Sequence, residues 1–325
     1  MEFIVCSADR MELYPFPEDA TMDFDLGGEN DVEITCTRGQ MQMGYWVIAP
    51  GTEYCALIEE VEANTNSEEE VWRGNAVRKL LEQYIIQPPS GQDYRTVSGD
   101  ANEILESVLG GAYGGIFSFS EALSEIEISS YQFERYTDAL TGFTKMLAAK
   151  NARLNIEVMQ GGANEPFEIV LSAVPIQDLS EEIEYSQDSK INISIEESRR
   201  GINHLICLGK GELKDRQVTH LYVQLDGSVS QKQYYKGLKE RTAIYDNNNA
   251  EDLDELIEGG TEKLQEEMNY KKMSLEVQDM DLQIGDIVSG RDYNSGLSLQ
   301  KPVTQKIVKI EKGTLEIEYK VEGEE

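Results

Sequence analysis

The sequence predicts an α+β, mainly β chain in which two β-rich regions flank a mixed segment. Three observations carry this expectation. Apolar residues alternate with period two through residues 1–90 and again after about residue 179, two helical faces and a hairpin lie between, and Pro88-Pro89-Ser90-Gly91 breaks the first pattern. A chain of 325 residues is long enough for two or three domains, each with its own core.

In the first region alternation is visible in Asp23 to Leu26, Val32 to Cys36, Gly44 to Ile48 and Cys55 to Val61. Asn30-Asp31, Pro50-Gly51 and the polar run Asn64 to Ser67 supply turns. Short strands at this spacing form an antiparallel barrel or sandwich, with a short helix expected over Ala76 to Gln83. Next, Asp100 with Glu103 three positions later opens a helix whose apolar face is Ile104, Leu105, Val108 and Leu109 and which Gly110-Gly111 ends. A second helical face is carried by Phe133, Tyr136, Leu140, Phe143 and Leu147, with Asn151 as its stop. Leu154 to Val158 and Phe167 to Leu171, joined by Gly161-Gly162-Ala163-Asn164, predict a hairpin packed on both helices.

The β pattern then returns in Ile191 to Ile195, His204 to Leu208 and Val218 to Leu225, the last turning at Asp226-Gly227. One long helix interrupts it, capped by Asn249, with Leu253, Leu256, Ile257, Leu264 and Met268 on one face. Glycine inside a helix costs about 1 kcal/mol against alanine, so Gly259-Gly260 predicts close packing against a neighbour. Strands are expected over Met273 to Val277, Asp286 to Val288, Thr304 to Ile310 and Leu315 to Val321, with a turn at Asn294-Ser295-Gly296. The resulting division is a first β domain at 1–90, an α+β insert at 91–178, and a second β domain at 179–325 whose helix spans about 249–270.

The formal net charge is −32, and it is unevenly spread. Residues 1–70 hold seventeen acids against Arg10 and Arg38, a balance of −15. Such a surface repels phosphate, which argues against nucleic-acid binding by counterion release. Two readings remain open: a solvated surface that keeps the chain soluble, or an acidic wall facing a channel that a polyanion traverses without sticking.

The sequence offers no arrangement for catalysis, a cofactor or a metal. Cys6, Cys36, Cys55 and Cys207 are far apart and read as reduced, buried residues. His204 and His220, the two histidines, lie sixteen residues apart, outside the usual zinc spacings, and His220 reads as structural. Gly209-Lys210-Gly211 lacks a third glycine and Gly110 to Gly115 lacks a lysine, so both read as turns. Carboxylates are too abundant for any glycosidase-like pair to be diagnostic. The tyrosines read as cross-strand packing residues. No run of eighteen apolar residues occurs, and the first residues lack the pattern of a secretory signal, so the chain is expected to be made in the cytoplasm.

Several runs resemble one family in order. They are Trp72-Arg73-Gly74 leading to Ile85 to Gly91, Val97 to Asn102, Glu184 to Asp188, Asn203 to Gly209, Arg216 to Gly227, Ile284 to Val288, Gly290 to Asp292 and Pro302 to Ile307. Together they resemble the tail-tip hub proteins of siphoviruses and prophages, the gene-product-thirty-seven-like family of a ReqiPepy-type phage, related to phage baseplate hubs. The resemblance covers about residues 70–325; the first 70 match only in general character.

The resemblance implies two tube-like antiparallel β-barrel domains with an inserted α/β domain. It also implies a homotrimer whose six barrels form a pseudo-sixfold ring closing the tail tube. The implied partners are a distal-tail or tube ring above, the tape measure protein, and tail fibres or receptor-binding proteins below, in a virion tail tip assembled in the host cytoplasm. DNA would pass through the channel without specific binding, and Asp23, Asp25, Glu29 and Asp31 would line it. The alternatives are a tail-associated cell-wall hydrolase, although no nucleophile, metal cluster or triad in the sequence supports it, and a receptor- or carbohydrate-binding tail module.

Overall fold

Alternating burial becomes strand through both β-rich regions. The computed structural model describes residues 1–162, 165–180, 191–198, 200–225, 227–250, 252–268, 270–277, 282–291, 298–311 and 313–323. The turn expected at Asn294 to Gly296, the resembling run Glu184 to Asp188, and the single positions Ala163, Asn164, Asp226 and Asp292 lie outside them.

The first part of the chain forms β1 (Ile4–Cys6), β2 (Glu12–Pro15), β3 (Thr21–Leu26), β4 (Asp31–Thr37), β5 (Trp46–Ile48), β6 (Cys55–Ala63), β7 (Glu69–Ala76) and α1 (Val77–Gln83). There follow β8 (Thr96–Asp100), α2 (Ala101–Leu109), β9 (Phe117–Phe119), β10 (Glu127–Gln132), α3 (Ala139–Ala148), β11 (Ala152–Met159) and β12 (Glu168–Pro175). The remainder gives β13 (Ile191–Ser198), β14 (His204–Leu208), β15 (Val218–Val223), β16 (Val229–Ser230), β17 (Thr242–Asp246) and α4 (Leu253–Glu267). The last strands are β18 (Tyr270–Val277), β19 (Ile287–Arg291), β20 (Ser298–Glu311) and β21 (Thr314–Gly323). The chain is mainly β, and it divides into two compact units. The first is Met1–Ile191 with Glu276–Val288 and Pro302–Tyr319; the second is Asn192–Leu275 with Ser289–Lys301 and Lys320–Glu325.

In the first unit a curled, half-barrel sheet runs in the order β21-β20-β3-β4-β7-β6-β5-β1-β2. Residues that alternate inward, among them Phe24, Ile34, Ile58 and Val308, share one core with Phe3 and Tyr54. A bulge between Ile58 and Glu60 shifts the β6–β7 register. Gly74 answers it, since a Cβ there would lie 2.2 Å from the Leu57 carbonyl oxygen.

The mixed segment packs α2 and α3 on the β11–β12 hairpin, as the sequence predicts. It also holds a third strand, β9, parallel to β12, and a separate β8–β10 pair, neither of which the periodicity revealed. Asp100 caps α2, accepting from the Asn102 N–H at 2.9 Å and from the Ser124 hydroxyl at 2.8 Å. The second helix begins later than expected. Asp138 caps α3 by accepting from the Thr141 N–H, so Phe133 and Tyr136 precede the helix. Phe133 is still buried, edge-on to Phe143 at 5.7 Å between ring centres, which is why its spacing imitated a helical face. Asn151, left-handed at φ 52°, marks the stop.

Two buried ion pairs fasten the C-terminal segments within this unit. Arg78 donates twice to one Glu53 oxygen at 2.8–3.0 Å, while Lys306 Nζ stands 3.5 Å from the other. Lys306 is fully buried, its ammonium 5.0 Å from the Tyr54 ring centre and 3.3 Å from Gln283 Oε1. Arg153 grips Asp286 at 2.8 Å, and Asp286 also accepts from the Gln177 N–H.

In the second unit β16-β15-β14-β17 form a four-stranded sheet with β14 and β17 parallel. Helix α4 lies on one face, with Leu256 and Leu264 against Leu205, Cys207, Leu221 and Val223. Gly260 allows the approach predicted for it: a Cβ would come within 2.6 Å of Cys207 Sγ. The helix starts at Leu253, capped by Asp252 through the Glu255 N–H rather than by Asn249. No helix of the described residues is long and apolar enough to cross a membrane.

Burial alone would raise the Glu53 carboxyl, but Arg78 and Lys306 outweigh it and hold it below the ordinary value. Its contribution to stability is therefore present above about pH 4.3 and is lost as pH falls through the depressed folded value. Glu53→Gln leaves two buried cations under-compensated and should destabilise the fold by about 3–5 kcal/mol at neutral pH. Urea unfolding should show the gap between wild type and variant narrowing on acidification.

Candidate functional site

Strand parity builds the candidate site. In β3 the inward Met22, Phe24 and Leu26 alternate with Asp23 and Asp25, and in β4 Val32 and Ile34 alternate with Asp31 and Glu33. The carboxylates therefore share the outer face of the sheet. Register aligns a row across it: Lys309 opposite Asp23, Asp23 opposite Glu33, Glu33 opposite Arg73, and Arg73 opposite Glu60. Glu29 sits in the β3–β4 turn, where Asn30 Oδ1 accepts from the Gly27 N–H at 2.7 Å and Asp25 accepts from the Gly28 N–H at 2.9 Å.

The structure thus gathers Asp23, Asp25, Glu29 and Asp31 at one end of this outer face, where they act on one another electrostatically. Partial burial, then Asp25, Glu33 and Glu318, push Asp23 above the ordinary carboxylate range, with Lys309 partly offsetting. Partial burial, then Asp25, Glu29 and Asp23, push Asp31 the same way, against Lys79. Gln305 donates to Asp25. Arg73 is the main neutralising group beside them, bonded to Glu33 at 2.7 Å, Glu60 at 3.0 Å and Glu62 at 3.2 Å. Sequence reasoning did not single out Arg73 or Lys309 for this face; their signal was the same parity, Arg73 following inward Trp72 and Lys309 following inward Val308.

Other reactive side chains have structural roles or surroundings. All four cysteines are free and buried. Burial pushes the Cys36 and Cys207 thiols up to about 11, and burial with Glu12 pushes Cys6 up to about 12, far from the thiolate a nucleophile needs. The histidines, distant in sequence, meet because antiparallel pairing of β14 and β15 puts both on one sheet face. His204 Nε2 is 2.8 Å from His220 Nδ1, and His204 Nδ1 is 2.8 Å from Glu240 Oε1. A carboxylate only accepts, so the His204 Nδ1–H donates to Glu240. This chain ties the loop before β17 to the sheet.

Among the described residues no group of three or more His, Cys, Asp or Glu is arranged to hold a metal ion. A groove of about 380 Å³ beside β1 is lined by Arg10, Glu12, Glu165 and Phe167 among others. There Arg10 donates to the carbonyls of Ile116 and Phe167, and Gln160 donates to Glu12.

Asp23→Asn with Asp31→Asn should raise stability at neutral pH by up to about 0.5 kcal/mol, the scale of surface substitutions. A raised folded value means that ionisation is harder in the folded chain, so the gain exists above that value and vanishes as pH falls below about 3.9. Thermal melts of both proteins at neutral and acid pH measure it.

No family model and no curated protein matches the chain. Among solved structures it is similar to prophage tail protein gp18 from Listeria monocytogenes EGD-e, with 12% identity and TM-score 0.47 over 100% of this chain and 96% of that one. It is similar also to the tail protein from Neisseria meningitidis MC58, at 11% identity and TM-score 0.47 over 100% and 97% of the two chains. The 43 kDa tail protein of prophage MuSo2 from Shewanella oneidensis aligns with 10% identity and TM-score 0.48 over 99% and 98%. The chain is thus similar, along nearly its whole length, to tail proteins from three bacteria.

Proposed function

We propose that this chain is a structural hub subunit of a phage or prophage tail tip, trimeric in the tail, closing the tube and forming the channel through which DNA leaves. The observation that carries the reading is the acidic outer face of β3, β4, β7 and β6. There Asp23 stands directly opposite Glu33, with Asp25, Glu29 and Asp31 beside them. Like charges placed opposite each other across a strand pair destabilise it. A channel wall for a polyanion gives that arrangement a use, because fixed negative charge keeps phosphates from sticking. The ordered resemblance over residues 70–325 supports the same reading.

In this reading the β-rich parts, at 1–90 and 179–325, act as tube-like domains flanking the α+β insert at 91–178. The subunit sits between a tube or distal-tail ring and the fibres or receptor-binding proteins, next to the tape measure protein, and it is not an enzyme.

The test replaces Asp23, Asp25 and Asp31 by Asn and Glu29 by Gln in the tail. Particles should assemble in normal numbers while DNA delivery falls about tenfold or more, as phosphate contacts gain affinity steeply with each repulsive charge removed. Normal delivery by assembled particles would remove the channel role and leave the hub. A stable monomer of 36.6 kDa that never enters tails would remove the hub.

A further inference from the structure

The second unit carries two exposed surfaces of opposite charge, one on helix α4 and one on the loop that joins β16 to β17. Helix α4 covers the face of Leu205, Cys207, Leu221 and Val223. On its solvent side Asp254, Glu258, Glu262 and Glu266 recur every four residues and are all exposed, forming one acidic ridge. Like charges at this spacing destabilise a helix, and Lys263, the one base in the helix, is bound to Glu266 and Glu267 on its flank.

Among the described residues no helix packs on the other face of the sheet. Ile244 is 67% exposed and Val218 49% exposed, with Ile206 between β15 and β17 in the same layer. From β16 at one edge to β17 at the other runs the loop from Gln231 to Arg241, with exposed Lys232, Lys236, Lys239 and Arg241 against the single acid Glu240, which is bonded to His204. This is a basic stretch in a chain of net charge −32. Leu238 stands fully exposed at its tip. The loop is held in place rather than loose: Asn203 Nδ2 donates to the Lys239 carbonyl at 2.8 Å, the Arg241 N–H donates to Asn203 Oδ1 at 2.9 Å, and Gln233 donates to Glu240.

We infer that the basic loop and open sheet face of one copy dock on the acidic α4 ridge of a second copy. Charge complementarity selects the partner, and the placement selects the geometry. Two different patches on one subunit join head to tail, a heterologous contact that gives a ring when the rotation between copies closes, as a hub requires. The docked lysines would neutralise the α4 ridge, and Leu238, Ile244 and Val218 would leave water. The inference deepens the hub reading and rests on it for closure into a ring and for the number of copies.

The experiment measures self-association of the full chain by sedimentation at low and high salt. Lys232→Glu, Lys236→Glu and Lys239→Glu together should weaken association at least about tenfold, as should Glu258→Lys with Glu262→Lys. Both sets combined in one chain should restore it, because loop and helix have exchanged signs. Circular dichroism spectra and melting temperatures matching wild type confirm that the variants fold, and the restored assembly of the combined variant guards against a folding defect. Association that is indifferent to either set, or a combined variant that stays apart, overturns the docking surface while leaving tail incorporation to judge the hub. A wild-type chain that stays monomeric at low salt overturns it as well.

Discussion

The buried Arg78–Glu53–Lys306 cluster is the constraint on which the first unit depends. Three charges lie out of water, and each has a partner that must arrive from a different part of the chain: the loop before β6, helix α1, and strand β20. Desolvating a charge is tolerable only when the opposite charge is in place, so this core admits one arrangement of its segments. Lys306 is the most demanding of the three. With no exposed surface it is set against Glu53, Gln283 and the rings of Tyr54 and Tyr319, all groups that exist together only in the folded unit. The antiparallel pairing of β20 with β3, from Lys306 opposite Leu26 to Ile310 opposite Met22, then follows from the same placement. Arg153 and Asp286 repeat the device between the insert and another returning segment. A sheet completed by strands nearly three hundred residues apart is rich in non-local pairing, the kind that forms slowly.

How much of this was legible follows from what a local pattern encodes. Period two located β3, β4, β6, β14 and β15 because one face of each is buried and the other wet, whereas β16 and β17 went unforeseen. Strand β7 escaped that reading: its run from Glu69 to Ala76 holds a glycine and two leading acids, and its strand character comes from pairing on both sides with β4 and β6. The α3 start was misread because Phe133 packs on Phe143 from outside the helix, and burial has no memory of which element supplies it. In α4 the glycine pair did announce a close neighbour, since only an approach such as that of Cys207 explains glycine inside a helix.

The candidate site was half legible. Placing Asp23, Asp25, Glu29 and Asp31 together needed only the parity of two adjacent strands and the turn between them. Their charged neighbours needed register, which no single strand carries. Arg73 faces Glu33 only because β4 pairs with β7 in one register, and a bulge at Glu59 is what brings Glu60 opposite it. The two histidines teach the same lesson: sixteen residues apart they looked unrelated, and antiparallel pairing made them hydrogen-bonded neighbours.

The distribution of charge separates a solvated surface from a built one. A chain selected only for solubility would disperse its acids, because mutual repulsion works against the folded state. Here Asp23 and Asp31 are held above the ordinary carboxylate range by burial and by one another, and Lys309, Lys79 and Arg73 offset only part of the charge. Meanwhile the basic residues of the second unit gather on a loop fixed by Asn203 and Glu240. Negative charge is concentrated on one sheet face and positive charge on one loop. The acidic face opposes the stability of the isolated chain, and the proposed tail role would give that cost a use.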